Sequence, residues 1–316
     1  MIITRTPFRI SFIGGVTDFR DFYSRTPGAV VSSTINKYMY IMVKIPFDDL
    51  IHVRYGKDEI VKTVDEVQHP IVREALKLLG IERKIEIVSM ADIPARMGLG
   101  SSSSFTVGLL KALHAYKRCS RFGVGAEQIA QEACKIEIDI MGKPIGKQDQ
   151  YIAAYGGLRY FQFNPDETVE TKPIDCDLHE LSKHLILFCL GNGRDDDSIL
   201  SRQKANIEQN FENLVRLRNL AQGASNIPDS LGDFLSYGWV IKRQLAEGVT
   251  NPEIDRYYQA AMTAGANGAK VLGAGGSGFL LVHSPFHCIW EVKQKVGLPV
   301  VDFDLEPNGS EVVYAD

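Results

Sequence analysis

The segment that most restricts this chain is Gly98-Leu99-Gly100-Ser101-Ser102-Ser103-Ser104, followed by apolar residues at helical spacing, Phe105, Leu109 and Leu113. Serine is a poor interior residue but suits a first helical turn, where backbone N–H groups lack partners. Glycines let a ligand approach the backbone closely, and a helix N-terminus attracts anions through its free N–H groups and dipole. The loop therefore reads either as a phosphate cradle with one hydroxyl available to a metal, or as an ordinary capped helix after a flexible loop. It is not a Walker A loop, because no Gly-Lys-Ser/Thr ends it.

A second glycine cluster, Gly273-Ala274-Gly275-Gly276-Ser277-Gly278, matches G-x-G-x-x-G literally. A dinucleotide fingerprint must open a helix, whereas Phe279-Leu280-Leu281-Val282 reads as a strand. A tight hairpin explains two or three of these glycines; the rest point to a backbone surface pressed against another, such as the first loop. Near the start, Arg9-Ile10-Ser11-Phe12-Ile13-Gly14-Gly15-Val16-Thr17-Asp18 is a strand ending at paired glycines, then presenting Thr17 and Asp18. Alone, an Asp/Thr turn explains that tetrapeptide.

The helical stretch Ala126–Met141 carries an independent clue. At about 100° per residue, Ile129, Ala130, Ala133, Cys134, Ile136, Ile138, Ile140 and Met141 fill one arc, and Glu137 falls near its middle. An inward carboxylate needs a cation or strong donors, so Glu137 is either half of a buried salt bridge or a magnesium ligand. After it, Gly142-Lys143-Pro144-Ile145-Gly146-Lys147-Gln148-Asp149-Gln150 offers Asp149 either as a cap for a short helix or as a catalytic carboxylate.

Composition sets the outer limits. The 316 residues are 45% hydrophobic and 23% charged, which excludes disorder and collagen-like or coiled-coil architectures. A formal net charge of −4 argues against a nucleic-acid or membrane-surface protein. No apolar run approaches the roughly 18 residues of a membrane span, and the start lacks the features of a secretory signal. Five scattered cysteines without a C-x-x-C read as reduced thiols, so a cytoplasmic setting is expected.

Strands are predicted around Phe8–Phe12, Ala29–Val31, Tyr38–Ile45, Ile51–Tyr55, Lys84–Val88, Leu158–Phe163, Val169–Ile174 and Leu185–Leu190. Helices are predicted near Ile71–Leu79, from the serine turn to about Lys117, and over Ser198–Ala221, Leu231–Glu247 and Pro252–Ala264. Without a regular βαβ rhythm the fold class is α+β, with domains at residues 1–170 and 171–316.

In this order the loops resemble the GHMP kinase superfamily. Pro7–Asp18 is similar to its first motif, and Pro94-Ala95-Arg96-Met97-Gly98-Leu99-Gly100-Ser101-Ser102 matches P-x-x-x-G-L-G-S-S. Gly142, Pro144, Gly146, Asp149 and Gln150 match G-x-P-x-G-x-x-D-Q, and Gly273–Gly278 resembles its third motif. The stretches Ala91–Pro94, Gly98–Leu110, Pro144–Tyr151 and Tyr155–Leu158 look most like the D-glycero-D-manno-heptose 7-phosphate kinase branch. Two positions depart from the pattern: Val16 stands where a third glycine is expected, and Arg96 replaces a small residue.

The resemblance implies a two-domain α+β fold, the first domain with a left-handed βαβ crossover and the second ferredoxin-like. It implies transfer of the γ-phosphate of ATP to the anomeric hydroxyl of a heptose 7-phosphate, for nucleotide-activated heptose synthesis. Backbone N–H groups of Gly98, Leu99, Gly100, Ser101, Ser102 and Ser103 would hold the ATP phosphates, with Ser102 and Glu137 on Mg²⁺. Asp149 would handle the acceptor proton, Arg9 would offset charge on the transferring phosphate, and Asp18 and Thr17 would bind sugar hydroxyls. Gly273, Gly275, Gly276 and Gly278 would form a structural loop. Lys147 and Arg194, with Lys37 and Arg96 behind them, are candidates for the substrate's own phosphate. Partners are then ATP and a sugar phosphate, with no nucleic acid or membrane, in a monomer or homodimer. The alternatives are a kinase for another sugar or small alcohol, of L-fucose or galactose type, or a catalytically silent ligand-sensing relative.

Overall fold

The computed structural model describes residues 1–117, 124–191, 196–224 and 227–316, with backbone only at 196–197 and 227–229. The first half contains strands β1 (Ile2–Ile13), β2 (Gly28–Lys44), β3 (Ile51–Arg54), β4 (Asp58–Val61), β5 (Ile85–Ala91), β6 (Leu158–Phe163) and β7 (Val169–Pro173). Its helices are α1 (Arg20–Tyr23), α2 (Pro70–Leu78), α3 (Ser101–Lys117), α4 (Ala126–Cys134) and α5 (Gln148–Tyr155). The second half holds helices α6 (Leu178–Ser182), α7 (Asp196–Ala205), α8 (Phe211–Gln222), α9 (Ile227–Lys242), α10 (Pro252–Thr263) and α11 (Ile289–Val296). Its strands are β8 (Leu185–Gly191), β9 (Gly268–Val271), β10 (Gly278–His283), β11 (Val300–Val301), β12 (Leu305–Glu306) and β13 (Glu311–Ala315).

The larger sheet runs β13-β1-β2-β5-β3-β4, with β12 and β6 also on β2 and β7 on β6. Only β3 and β5 pair in parallel, joined through β4 and α2. The smaller sheet, β11-β8-β10-β9, is antiparallel throughout. With helices before β9 and between β10 and β11, it has the order of a ferredoxin-like unit. The expected division at residues 170 and 171 falls inside β7, and β12 and β13, beyond it, lie in the first sheet.

Several elements differ from expectation. The separate strands at Ala29–Val31 and Tyr38–Ile45 are one strand, β2, because the polar residues between them are satisfied inside the sheet. Ser32, Ser33 and Thr34 are fully buried, and Thr34 Oγ1 donates to the Glu306 carbonyl at 2.6 Å while accepting from Gly157 N–H at 2.8 Å. The single helix expected over Ser198–Ala221 is two, α7 and α8. The helix expected over Ala126–Met141 changes at Lys135 into a π-helical turn, Lys135–Ile140. Wider winding rotates Ile140 off the apolar arc, and it is 47% exposed.

One hydrophobic core spans the large sheet and helices α2 to α5, and it includes Leu272, Phe279 and Leu281 from the second half. A second core lies around Trp239, Phe188 and Leu280. A third joins the halves directly, packing Val16, Phe19 and Phe22 against Leu214, Ile241 and Leu245. Among the described residues no helix is long and apolar enough to cross a membrane. The described cysteines, Cys134, Cys176, Cys189 and Cys288, form no disulfide; Cys119 lies outside the described residues.

Candidate active site

Helix α3 begins at Ser101, so the N–H groups of its first turn open onto the loop before it. Arg9 fastens that loop to β1: its backbone N–H donates to the Leu99 carbonyl at 3.1 Å, and its Nη1 donates to the Gly98 carbonyl at 2.6 Å. The late glycine cluster closes over the other side. A Cβ on Gly273, at φ +63°, would lie 2.5 Å from Gly98 Cα, so the two glycines meet backbone to backbone. Gly273 and Gly98 thus supply the close approach that the surplus of glycines predicted.

The Arg9 guanidinium also grips Asp149, with Nε to Oδ1 and Nη2 to Oδ2 both at 2.7 Å. Asp149 lies in the first turn of α5, where Lys147 is the N-cap residue. Its carboxylate therefore meets Arg9 rather than capping the helix. Arg9 is 5% exposed and Asp149 faces the same space, so the fork fixes both groups against the serine turn.

Glu137 is completely buried in the π-helical turn. Ser102 Oγ donates to its Oε1 at 2.5 Å, Lys143 Nζ to the same oxygen at 2.8 Å, and Gln150 Nε2 to Oε2 at 2.9 Å. Lys143 Nζ also donates to Ser102 Oγ at 2.6 Å. Both readings of Glu137 meet here: the carboxylate has a lysine partner, and that ammonium stands where a cation between Ser102 and Glu137 would stand. Two oxygen donors suit a magnesium ion that keeps several waters and binds phosphate oxygens. No cluster of three or more His, Cys, Asp or Glu among the described residues is arranged to hold a metal.

Asp18 accepts the Gln148 N–H at Oδ2, 3.1 Å away, while its Oδ1 and the neighbouring Ser11 Oγ are buried without hydrogen-bond partners among the described residues. Burial raises the Asp18 carboxyl to about 6; the Gln148 N–H opposes that and nearby Asp149 adds to it. A Cβ on Gly146 would lie 2.0 Å from Asp18 Oδ2, so only glycine fits beside this carboxylate. The two departures from the family pattern both have left-handed backbone, Val16 at φ 66° and Arg96 at φ 63°. Val16 meets that strain by packing into the third core.

Arg9, Ser11, Asp18, Ser102, Lys143 and Asp149 line one cleft of about 930 Å³, and Glu137 meets it through Ser102 and Lys143. One end is apolar and aromatic: His69 stacks on Phe105 at 4.8 Å between centroids and meets Tyr55 edge-on at 4.5 Å. Burial lowers the His69 pKa, favouring a neutral ring. The opposite end carries Asp18, Ser11, Val16 and Phe19, with Lys242 and Lys270 from the second half. Arg96 is on the cleft wall.

Three expected substrate contacts are not brought into the cleft. Thr17 is fully buried and donates its hydroxyl to the Ala29 carbonyl at 2.9 Å. Lys147 pairs with Glu167 at 2.5 Å and lies over the Tyr23 ring. Lys37 borders a separate, smaller groove with Asp302 and Asp304. Arg194 lies outside the described residues. Sequence reasoning missed His69, Lys143, Lys242 and Lys270. For the last two a signal existed, a lone lysine in each of the apolar runs Trp239-Val240-Ile241-Lys242 and Ala269-Lys270-Val271-Leu272.

Comparison with known proteins gives an independent view. The family model for the GHMP kinases N terminal domain matches residues 60–157, and that for the GHMP kinases C terminal region matches residues 214–287. A D-glycero-alpha-D-manno-heptose 7-phosphate kinase from Campylobacter jejuni is 27% identical over 305 residues, covering 88% of each chain. A mevalonate kinase from Methanothermobacter thermautotrophicus is 26% identical over 228 residues, covering 68% of this chain and 69% of its own. Among solved structures, a D-glycero-D-manno-heptose 1-phosphate kinase from Bacteroides thetaiotaomicron superposes with a TM-score of 0.81 over 100% of both chains, at 20% identity.

Proposed function

The chain belongs to the GHMP kinase family, whose two models together match more than half of it, and from that premise we propose that it phosphorylates the anomeric hydroxyl of D-glycero-D-manno-heptose 7-phosphate. That it is an ATP-dependent phosphotransferase of the sugar-kinase type follows from the family. The heptose 7-phosphate is our reading, supported by likeness to the Campylobacter kinase along 88% of both chains. The observation that carries the chemistry is the Arg9–Asp149 fork facing the first turn of α3.

Phosphoryl transfer asks a protein mainly to position groups and to spread negative charge. In this reading adenine lies at the aromatic end against His69 and Phe105, and the triphosphate follows the loop to the N–H groups of Ser101–Ser103. Ser102 and Glu137 would hold Mg²⁺, which would supply charge neutralisation for the phosphate oxygens. Lys143, bonded to both of these residues, would add its own positive charge beside the phosphates. Asp149 takes the proton of the attacking hydroxyl, its carboxylate held in place by the Arg9 fork. Arg9 donates from the edges of its guanidinium to Gly98 and Asp149 and offsets charge on the transferring group. Asp18 Oδ1 and Ser11 Oγ supply the missing partners for sugar hydroxyls.

The test is an acceptor panel with ATP and Mg²⁺, read by ADP release and by phosphorus NMR of the product. The heptose 7-phosphate should give a 1,7-bisphosphate, ahead of the 1-phosphate, the free heptose, L-fucose, galactose and mevalonate. Preference for an acceptor without a terminal phosphate rejects the assignment. Asp149→Asn should keep ATP binding and lose about 10²-fold or more in kcat. Full turnover in that variant removes Asp149 from the chemistry.

A further inference from the structure

Two lysines at the acceptor end of the cleft have no explanation in the mechanism above. Lys270, on β9, is 2% exposed, and Lys242, at the end of α9, is 7% exposed. Both side chains nevertheless border the cleft. Lys242 Nζ donates to the carbonyls of Val271 at 2.9 Å and Gly273 at 2.6 Å, and Lys270 Nζ donates to the Phe12 carbonyl at 3.1 Å. An ammonium has three protons to donate. In the charged form, one proton of Lys242 and two of Lys270 would thus be left without a protein acceptor among the described residues.

Neither lysine pairs with a carboxylate among the described residues, and the charged neighbours that act on them are cationic. Burial, then Arg9, lowers Lys270 to about 7; burial, then Lys270 and Arg9, holds Lys242 well below the ordinary lysine range. Of the carboxylates on this side, Asp149 is already engaged by both nitrogens of the Arg9 fork, and Asp18 accepts the Gln148 N–H and touches neither lysine. An isolated cation in a low-dielectric site is costly, so two of them side by side mark a place completed by an anion from outside.

Position selects which anion. The aromatic pocket and the serine turn lie on the nucleotide side, whereas Lys270 is tied to Phe12, beyond Arg9 and Ser11 on β1. Lys242 follows Ile241 of the core around Val16 and Phe19 and reaches the Gly273 carbonyl, where the late glycine loop meets Gly98, so it stands between the two sides. The bases first considered for an acceptor phosphate are elsewhere: Lys147 is engaged by Glu167, and Lys37 lines another groove. We propose that Lys242 and Lys270 form a buried subsite for the phosphate group that the acceptor sugar already carries. The proposal rests on the reading of the acceptor as a sugar phosphate. It adds the element that separates such an acceptor from a free sugar, since a phosphate dianion placed here satisfies the unpaired ammonium protons through charge-assisted bonds.

Lys270→Met and Lys242→Met remove each charge while keeping an unbranched side chain, and a melting curve establishes that each variant is folded. Steady-state rates are then compared for the heptose 7-phosphate and the free heptose. The expected result is a KM for the phosphorylated acceptor raised at least tenfold in each variant, with KM for ATP and the rate on free heptose unchanged. Equal KM values in wild type and variants overturn the subsite, as does a fall in kcat shared by both acceptors, which would put the lysines on the transferring phosphate. If wild type does not prefer the phosphorylated acceptor, it is the heptose assignment that fails. The subsite is then judged by calorimetric titration with inorganic phosphate: binding that both variants lose upholds it, and no binding by wild type refutes it.

Discussion

Asp18 carries a stability cost that its position explains. Its carboxyl titrates near 6 in the folded chain against a reference of 3.8, mainly because burial penalises the charged form. Between about pH 4 and 6 the native state holds a proton that the unfolded chain has released, so this residue makes stability fall as pH rises through that window. Above it the full cost applies, about 3 kcal/mol at 1.36 kcal/mol per pK unit. Asp18→Asn still offers an oxygen to the Gln148 N–H, so it should melt higher than wild type at pH 7.5 and match it near pH 4. The same variant should bind the sugar acceptor more weakly. Equal melting curves at both pH values refute the buried-carboxylate account. At this scale the sequence was legible wherever a residue broke a period. Glu137 stood out against its apolar arc, and its burial follows from the same arc. Lys143 sits in a Gly/Pro loop with no period to break, so nothing marked it before the fold brought it to Glu137.

The glycine clusters foretold close backbone approach because nothing else uses so many glycines together. Gly273→Ala tests the contact: its Cβ, at left-handed φ, would sit 2.5 Å from Gly98 Cα, and neither backbone can yield without moving the loop before α3. The expected loss is about 1–3 kcal/mol in urea unfolding, with KM for ATP raised more than KM for the acceptor. A variant with wild-type stability and unchanged KM for ATP contradicts the contact. Helix and strand identities were mostly readable from periodicity, but lengths were not. The polar run Ser32-Ser33-Thr34 looked like a break in β2 and is instead held by Gly157 and Glu306, residues more than a hundred positions away. The π-helical turn was equally hidden, since a wheel drawn at 100° per residue presumes the winding it is used to find.

The cleft belongs to no single segment. Its walls come from β1, the serine loop, α5 and the second half of the chain, which join through a common core and through the Lys270–Phe12 bond. Ligands bridging those walls should stabilise the molecule by mass action. At a hundredfold excess over Kd, a non-hydrolysable ATP analogue with Mg²⁺ contributes about 2.7 kcal/mol. That corresponds to a rise in Tm on the order of 5 °C, smaller when EDTA replaces the metal. No shift with either would deny the cleft its nucleotide. Spacing along the chain offered no hint of how the last strands return, because their partners are set by topology rather than by local pattern. That return dictates an order of assembly. β13 pairs with β1 at the rim of the large sheet, and β12 lies on β2. That margin of β1 therefore stays open until β13 has been made, so the growing chain carries an unpaired sheet edge over the whole interval between them, a stage at which a chaperone has most to protect.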